Sequence, residues 1–339
     1  MNNPHERYSK HINHFDKLLK KSLKEGAKRK TIHIGALLHG NDGRTPCFQL
    51  QGLARIDSKI GKDKKQAENF LREFKEIEDA IGKFDYWNAM LESNKHWRFP
   101  KVVGDYFTNM AYLNLGILED RMIRQGWLKR EFDGLIYSDE ALKNFNLALK
   151  KLDYFGSEKE KKKITKLLRD EATEIHEKVK SSEIDLNQIE LGIHEFRRKI
   201  RWLGIYSSAL LGKVVLDNET GDKALSHFIN KEKSALKYNK LPINPKQRDP
   251  VFFLKGGFYA ISDLIGIIGD IKDRGLVTGE VLQIGKLFGL KESLIKKHLG
   301  SEYYPYPKVV ESAHKVIKQY IFKENILLHI AEHFDKQLK

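Results

Sequence analysis

The sequence predicts an all-α protein, and three observations support this prediction. Apolar residues recur at the 3.6-residue spacing of amphipathic helices over most of the chain. The 339 residues include 8 prolines, few enough to leave long helices unbroken. Alternation typical of a strand is confined to one short stretch, Thr31–Leu38, which is the single candidate strand.

The first half of the chain divides into helices with identifiable limits. Residues 5–27 form a basic amphipathic helix, with Ile12, Phe15 and Leu19 on its apolar face. A link rich in turn residues follows over 35–46. Further helices are predicted over 47–60, 64–91, 105–128, 139–154 and 158–180. Gly156 and Ser157 separate the last two as a stop and an N-cap.

The second half is predicted to contain helices on both sides of an irregular segment. A long helix covers 186–215, and residues 217–250 are richer in Pro, Gly and Asn. This segment is read as a short helix around 222–237 and an extended linker. Helices are then predicted over 251–272, 278–288, 291–299 and 309–339, with a break at residues 303–307.

An internal repeat predicts two similar halves. Phe74-x-x-Ile77-x-Asp79-x-Ile81-Gly82 recurs as Phe258-x-x-Ile261-x-Asp263-x-Ile265-Gly266. The apolar positions share one helix face, and the glycine would allow a close helix approach. A duplication implies two helical-bundle halves related by pseudo-two-fold symmetry. The predicted divisions are 1–44 (an extra basic N-terminal helix and its linker), 45–180 and 181–339.

The charge of the chain indicates an anionic partner. The 61 Lys and Arg residues outnumber the 46 Asp and Glu residues, for a formal net charge of +15. Lysine predominates, which favours contacts to backbone phosphates over reading of base edges. A basic surface that serves solubility alone is the alternative reading of the charge.

Other features of the composition exclude several classes of protein. The single cysteine, Cys47, excludes an intramolecular disulfide and a cysteine-based zinc cluster. Residues 1–20 lack the apolar region of a secretory signal. The most apolar window, 258–269, is shorter than the ~20 residues of a spanning helix. We therefore expect a cytoplasmic protein without a membrane partner.

The most concentrated basic pattern lies at residues 194–202. His194, Arg197 and Arg201 stand at i, i+3 and i+7, so they form one stripe on a helix, with Arg198 beside it. These groups repel one another unless the stripe is solvated or faces an anion. Neighbouring arginines should disfavour the charged form of His194 in the free protein, and a bound polyanion should favour it. Affinity for a polyanion should then rise as pH falls from about 8 to 6.

The arrangement resembles the CHAD (conserved histidine α-helical domain) family over residues 45–335. The stripe of His194, Arg197 and Arg201 resembles the first helix of that family, and Ile265-Gly266 with Asp270 resembles the second. In the other half, Ile81-Gly82 and Asp85 resemble the second helix. Residues 52–62 resemble the first, with Gly52 where the family has histidine.

The resemblance implies non-enzymatic binding of inorganic polyphosphate or a related phosphate polymer, in a basic groove between the two halves. It implies these candidate binding residues: His194, Arg197, Arg198 and Arg201 in one half, Arg55, Lys59 and Lys62 in the other, and Arg72, Lys75 and Lys255 on the second helices. An RNA- or DNA-binding helical protein that uses the same surface is the alternative, and an interaction scaffold is a third reading. The oligomeric state stays open.

Two catalytic strings occur in settings that do not favour catalysis. Glu158-x-Glu160-x-Lys162 matches a phosphate-processing motif that needs a strand, where the three residues share a face. Here it opens a helix, in which i, i+2 and i+4 do not. His329-x-x-Glu332-His333 could hold a metal only with a further ligand, which an earlier helix could supply. No phosphate loop, nucleophile elbow or dinucleotide fingerprint is present, so no enzyme activity, metal or cofactor is expected.

Overall fold

The computed structural model describes residues 4–29, 33–97, 99–132, 134–217, 224–231, 240–245 and 247–339. Helices make up most of these residues and the strands are short, so the predicted all-α class is confirmed. The first six helices are α1 (Pro4–Arg29), α2 (Ile34–Gly40), α3 (Arg44–Ile60), α4 (Lys64–Trp97), α5 (Lys101–Arg124) and α6 (Glu140–Leu149).

The remaining helices are α7 (Ser157–Lys180), α8 (Glu195–Ala209), α9 (Lys255–Leu287), α10 (Glu292–Leu299), α11 (Tyr306–Ile317) and α12 (Ile326–Lys336). Wider π turns cover Ile189–His194, just before α8, and Lys318–Lys323, just after α11. Short 3₁₀ turns cover Ser226–Lys231 and Gly300–Glu302. The helix predicted around 222–237 lies largely outside the described residues.

The described residues include four short strands where the sequence predicted none. Strands β1 (Leu128–Glu131) and β2 (Gly134–Tyr137) form an antiparallel pair. Strands β3 (Val214–Leu216) and β4 (Val251–Phe253) form a parallel pair. Helices had been predicted over Val214 and Val215 of β3, over β4 and at Leu128. Three- or four-residue strands are too short for alternation to distinguish them from a buried helix end.

The predicted strand at Thr31–Leu38 is wrong for its described part. Residues Ile34–Gly40 form α2, which follows His33 as its N-cap. Ile34 and Leu38 stand at i and i+4, which is one face of a helix, and both are buried. Residues 31 and 32 lie outside the described part of the chain.

Several predicted helices differ from the observed ones in their limits. The helices predicted over 251–272 and 278–288 are one helix, α9, which begins after β4. The helix predicted over 309–339 is interrupted, because the π turn is followed by Asn325 in a left-handed conformation (φ 49°). The helix predicted over 186–215 is replaced by a π turn, α8 and β3.

The described chain divides into two compact units. The N-terminal unit comprises the described residues up to Tyr154 together with Val281–Gly300, and the C-terminal unit comprises Phe155–Glu280 and Ser301–Lys339. Helix α1 therefore belongs to the N-terminal unit and α7 to the C-terminal unit, whereas the predicted divisions fall at residues 44 and 180. The predicted pseudo-two-fold relation between halves stays a prediction.

Each unit has its own aromatic core. In the N-terminal unit, the rings of Phe70 and Phe145 lie 4.5 Å apart, and Tyr8 packs against both. In the C-terminal unit, Phe253 on β4 makes edge contacts with Phe258 and Phe334 at 5.4 and 5.2 Å. Burial of such rings stabilises a unit by hydrophobic transfer and by edge-to-face packing.

Candidate anion-binding site

The basic stripe of the C-terminal unit begins at a backbone contact that only glycine allows. Gly192 lies in the π turn before α8, and a Cβ added there would be 1.8 Å from the carbonyl oxygen of Asp185. The turn is followed directly by α8, whose first residues carry the basic stripe. The close approach at Gly192 therefore sets the position of His194 at the junction of the turn and the helix.

Arg197 is held against helix α9. Its Nε donates a hydrogen bond to the carbonyl oxygen of Ile265 at 3.0 Å. Its guanidinium lies over Gly269, where an added Cβ would be 2.7 Å from Nη2. The absent side chain of Gly269 leaves the space that the guanidinium fills. In the part of the chain that the structure describes, no carboxylate lies within ion-pair distance of Arg197.

The pKa of His194 is lowered by its surroundings. Its pKa is lowered from 6.5 to about 4, first by burial and then by the positive charges of Lys272, Arg197, Arg201 and Arg198. Its Nδ1 is buried without a hydrogen-bond partner. His194 is therefore neutral at pH 7. The predicted effect of the arginines has the expected direction, but the titration occurs well below the range of pH 8 to 6.

Lys272 belongs to the same cluster, although the sequence did not single it out. It lies on α9, three residues after Gly269, and is 7% exposed. Its ammonium pairs with Asp273 at 3.0 Å, and Arg198 pairs with Glu195 at 2.5 Å. We define the basic cluster as His194, Arg197, Arg198, Arg201 and Lys272. Arg198 and Lys272 thus each have a carboxylate partner close by in the sequence.

The predicted residues of the other half lie along α3, α4 and the turn between them. Lys62 pairs with Asp153 at 2.6 Å, Lys75 pairs with Asp79, and Arg72 donates to Asn69 at 3.1 Å. Arg55 is half-buried and Lys59 is exposed. Lys255, at the start of α9 in the C-terminal unit, is half-buried. The binding role of these residues stays a prediction.

In the N-terminal unit, Arg44 packs over a glycine in the same way as Arg197 does in the C-terminal unit. Arg44, the first residue of α3, lies over Gly82 of α4, where an added Cβ would be 2.5 Å from its Nη2. Its Nε donates to Glu78 at 2.8 Å, and its Nη1 donates to Asp85 at 2.9 Å. His39 lies 3.0 Å from the other oxygen of Asp85 and is the main cause of the lowered pKa of that carboxyl. The sequence analysis missed Arg44, because no basic stripe surrounds it.

The glycine of the predicted repeat has a different role in each copy. An arginine packs over Gly82, but a Cβ added at Gly266 would have open space around it. The expectation that Gly266 allows a close approach is therefore wrong. Gly269, one helical turn later, provides the close approach in α9. The exposed position of Gly266 explains the error, since identity of sequence does not specify which face of a helix is buried.

The two catalytic strings have structural contacts. Glu160 lies 3.7 Å from the ammonium of Lys213, a 1% exposed residue that also donates to Ser157 and to the carbonyl of Arg248. The imidazole of His333 lies 3.1 Å from the carbonyl oxygen of Phe252. Among the described residues, no three His, Cys, Asp or Glu side chains are arranged to hold a metal ion.

Comparison with known proteins found no relative. No family model matches the chain, and neither the curated proteins nor the solved structures contain a match. In the described part of the chain, none of the helices is both long enough and apolar enough to cross a bilayer. The chemistry of the basic cluster is therefore the basis for a functional proposal.

Proposed function

We propose that the protein binds inorganic polyphosphate or a related phosphate polymer without catalysing a reaction on it, in the manner of the CHAD family that its sequence resembles. The basic cluster is the proposed centre of binding. We also propose that the protein acts in the cytoplasm, without a cofactor. The observation that carries the proposal is the convergence of four cations, Lys272, Arg197, Arg201 and Arg198, on His194, whose pKa is lowered first by burial and then by these positive charges.

Arg197 is the member of the cluster that is best placed to bind a phosphate oxygen. Arg197 uses its Nε for the carbonyl of Ile265, which orients the guanidinium, and no carboxylate lies near it in the described residues. A guanidinium held in this way offers its terminal N–H groups as a planar pair to one phosphoryl group. The remaining cations of the cluster contribute through charge to neighbouring phosphates of a chain.

The excess of basic residues favours a long polyanion over a single phosphate group as the ligand. With a net charge of +15, binding of a long polyanion releases counterions from both partners. Affinity then depends on the number of phosphates engaged. We expect a loss of orders of magnitude between roughly 50 and 200 mM salt if about six or more phosphates are in contact.

The experiment compares two pairs of charge removals on the intact chain. Arg197→Ala with Arg201→Ala removes two charges from the basic cluster. Lys162→Ala with Lys163→Ala removes two charges from α7, where Lys162 pairs with Glu158 and Lys163 lies over the ring of Phe155. Fluorescence anisotropy with labelled polyphosphate of about 30 units, at two salt concentrations, gives the affinities.

Replacement of the two arginines should weaken binding at least about tenfold more than replacement of the two lysines, because hydrogen bonds between charged groups are directional. Unlabelled RNA and DNA serve as competitors at equal phosphate concentration. Competition by RNA or DNA stronger than by polyphosphate would replace the proposal with nucleic-acid binding. Equal losses from the two pairs would show that net charge alone controls binding. An absence of binding by all three polymers would favour a scaffold.

A further inference from the structure

The two units contain the same packing element with opposite electrostatic surroundings. In each unit an arginine from the start of one helix lies over a glycine of a long helix, Arg44 over Gly82 and Arg197 over Gly269. The Nε of each arginine donates toward the residue four positions before its glycine. We call these two elements the arginine–glycine contacts.

The residues around the two contacts differ in a systematic way. Four positions before the glycine, the N-terminal unit has Glu78 and the C-terminal unit has Ile265, which offers its carbonyl oxygen instead. Three positions after the glycine, the N-terminal unit has Asp85 and the C-terminal unit has Lys272. One contact is therefore surrounded by two carboxylates, and the other has no carboxylate at either position.

The arginine stripe shows the same asymmetry. Four residues after Arg197 stands Arg201, whereas four residues after Arg44 stands Phe48, whose ring lies 5.2 Å from the guanidinium of Arg44. The corresponding positions thus hold three permanent cations in the C-terminal unit. In the N-terminal unit they hold one cation and two carboxylates.

We infer that Glu78 and Asp85 occupy, on Arg44, the terminal N–H groups that remain available to an anionic ligand on Arg197, so that the N-terminal contact is closed by the protein itself and anion binding is confined to the C-terminal unit. Glu78 lies 2.8 Å from Nη2 of Arg44 and Asp85 lies 2.9 Å from its Nη1, so the two carboxylates accept from both terminal groups that a phosphate would use. Glu78 is 6% exposed, so its carboxylate stays with Arg44 instead of being exchanged for solvent.

The difference between the two contacts then depends on four positions next to the arginines and not on the arginines themselves. Glu78 and Asp85 exclude anions from Arg44, while Ile265 and Lys272 leave Arg197 available. This inference rests on the proposed anion binding of the C-terminal unit. Removal of the carboxylates of Glu78 and Asp85 should therefore create a new anion-binding site on Arg44.

The first experiment opens the closed contact with Glu78→Gln and Asp85→Asn together. Isothermal titration with inorganic triphosphate, which is too short to act as an extended polymer, gives the number of sites on the intact chain. The variant should bind one more triphosphate than the wild type. The matched control is Glu92→Gln with Asp105→Asn, which also removes two negative charges but frees two surface lysines, Lys95 and Lys101, in place of a held arginine. The control should keep the wild-type number of sites.

The second experiment closes the open contact, and it remains informative if the first variant does not fold. Ile265→Glu places a carboxylate at the position that corresponds to Glu78. Gly266→Glu, at the next residue, adds the same charge at an exposed position with open space around it. Ile265→Glu should weaken triphosphate binding about tenfold or more, and Gly266→Glu should weaken it far less.

The outcomes separate this inference from the proposed function. No binding of triphosphate or polyphosphate to the wild type overturns the proposed function, while a new site in the Glu78/Asp85 variant still supports closure of Arg44 by its own carboxylates. A folded Glu78/Asp85 variant with the wild-type number of sites overturns the inference. Equal weakening by Ile265→Glu and Gly266→Glu also overturns it.

Discussion

The titration of His194 is the most direct test of the electrostatic field in the basic cluster. In the free protein its pKa is about 4, because burial and four nearby cations disfavour the imidazolium. A phosphate polymer that binds across the cluster offsets those cations and restores part of the ordinary value near 6.5. Binding then takes up a proton, and the affinity depends on pH.

The size of this dependence follows from the two pKa values. If binding restored the pKa from about 4 to 6.5, protonation would raise the affinity about fourfold at pH 6 and about 30-fold at pH 5, relative to pH 8. These factors are upper limits, because His194 is only partly buried and solvent screens its neighbours. Most of the rise therefore lies below pH 6, and only its first, fourfold part falls within the range of pH 8 to 6 that the unperturbed residue suggests.

The assay compares wild type with His194→Gln on one long polyphosphate at pH 8, 6 and 5. Glu195 and Asp273, which pair with Arg198 and Lys272, also carry charge nearby, and the terminal phosphates titrate, so only the difference between the two proteins is assigned to His194. The variant should lose the additional rise at pH 5 and keep the affinity at pH 8. Nuclear magnetic resonance of His194 in the free protein should give a pKa below 5. An equal pH dependence in both proteins would refute a role for His194 as a charged ligand.

Three further predictions concern stability and are measured by urea unfolding monitored by circular dichroism. Arg44→Met leaves the buried carboxylate of Glu78 without its partner, and it should cost about 2–3 kcal/mol at pH 7; a loss below 0.5 kcal/mol, within ~RT, would contradict the importance of the contact. His39→Gln removes the main cause of the lowered pKa of Asp85, whose stabilising effect is present above the ordinary value of 3.8 and is lost as pH falls through the lower folded value. The free energy of unfolding of this variant should therefore fall less below pH 4 than that of the wild type. The same fall in both proteins would contradict the role of His39 in lowering the pKa of Asp85. Lys213→Met leaves the oxygens of Ser157 and Arg248 without a buried donor and should cost about 2–4 kcal/mol, whereas the exposed control Lys166→Met should change stability by less than about 0.5 kcal/mol.

The helices were predictable because each is long enough to show its buried face. Helix α7 begins at Ser157, one residue before the predicted limit and with Gly156 in place of Ser157 as its N-cap, and its residues Ile164, Leu168 and Ile175 lie on one buried face. The strands were not predictable, because β3 and β4 have three residues each and exist only through their pairing across 34 intervening residues. A hydrogen-bond partner so distant in sequence leaves no local pattern.

The sequence by itself determined the helical class and located the basic stripe on α8, because both depend on local spacing along one helix. Only the tertiary structure showed that Arg197 lies over Gly269 instead of Gly266, that Lys272 belongs to the same cluster, and that Arg44 is held by its own carboxylates. These relations join residues of different helices, and the chain between arginine and glycine is much longer in the C-terminal unit than in the N-terminal unit. A sequence comparison with one fixed offset between the halves therefore cannot align both the arginine and the glycine. Charge on a helix face is a property of composition, but whether that charge is neutralised depends on which side chains the fold brings within hydrogen-bond distance.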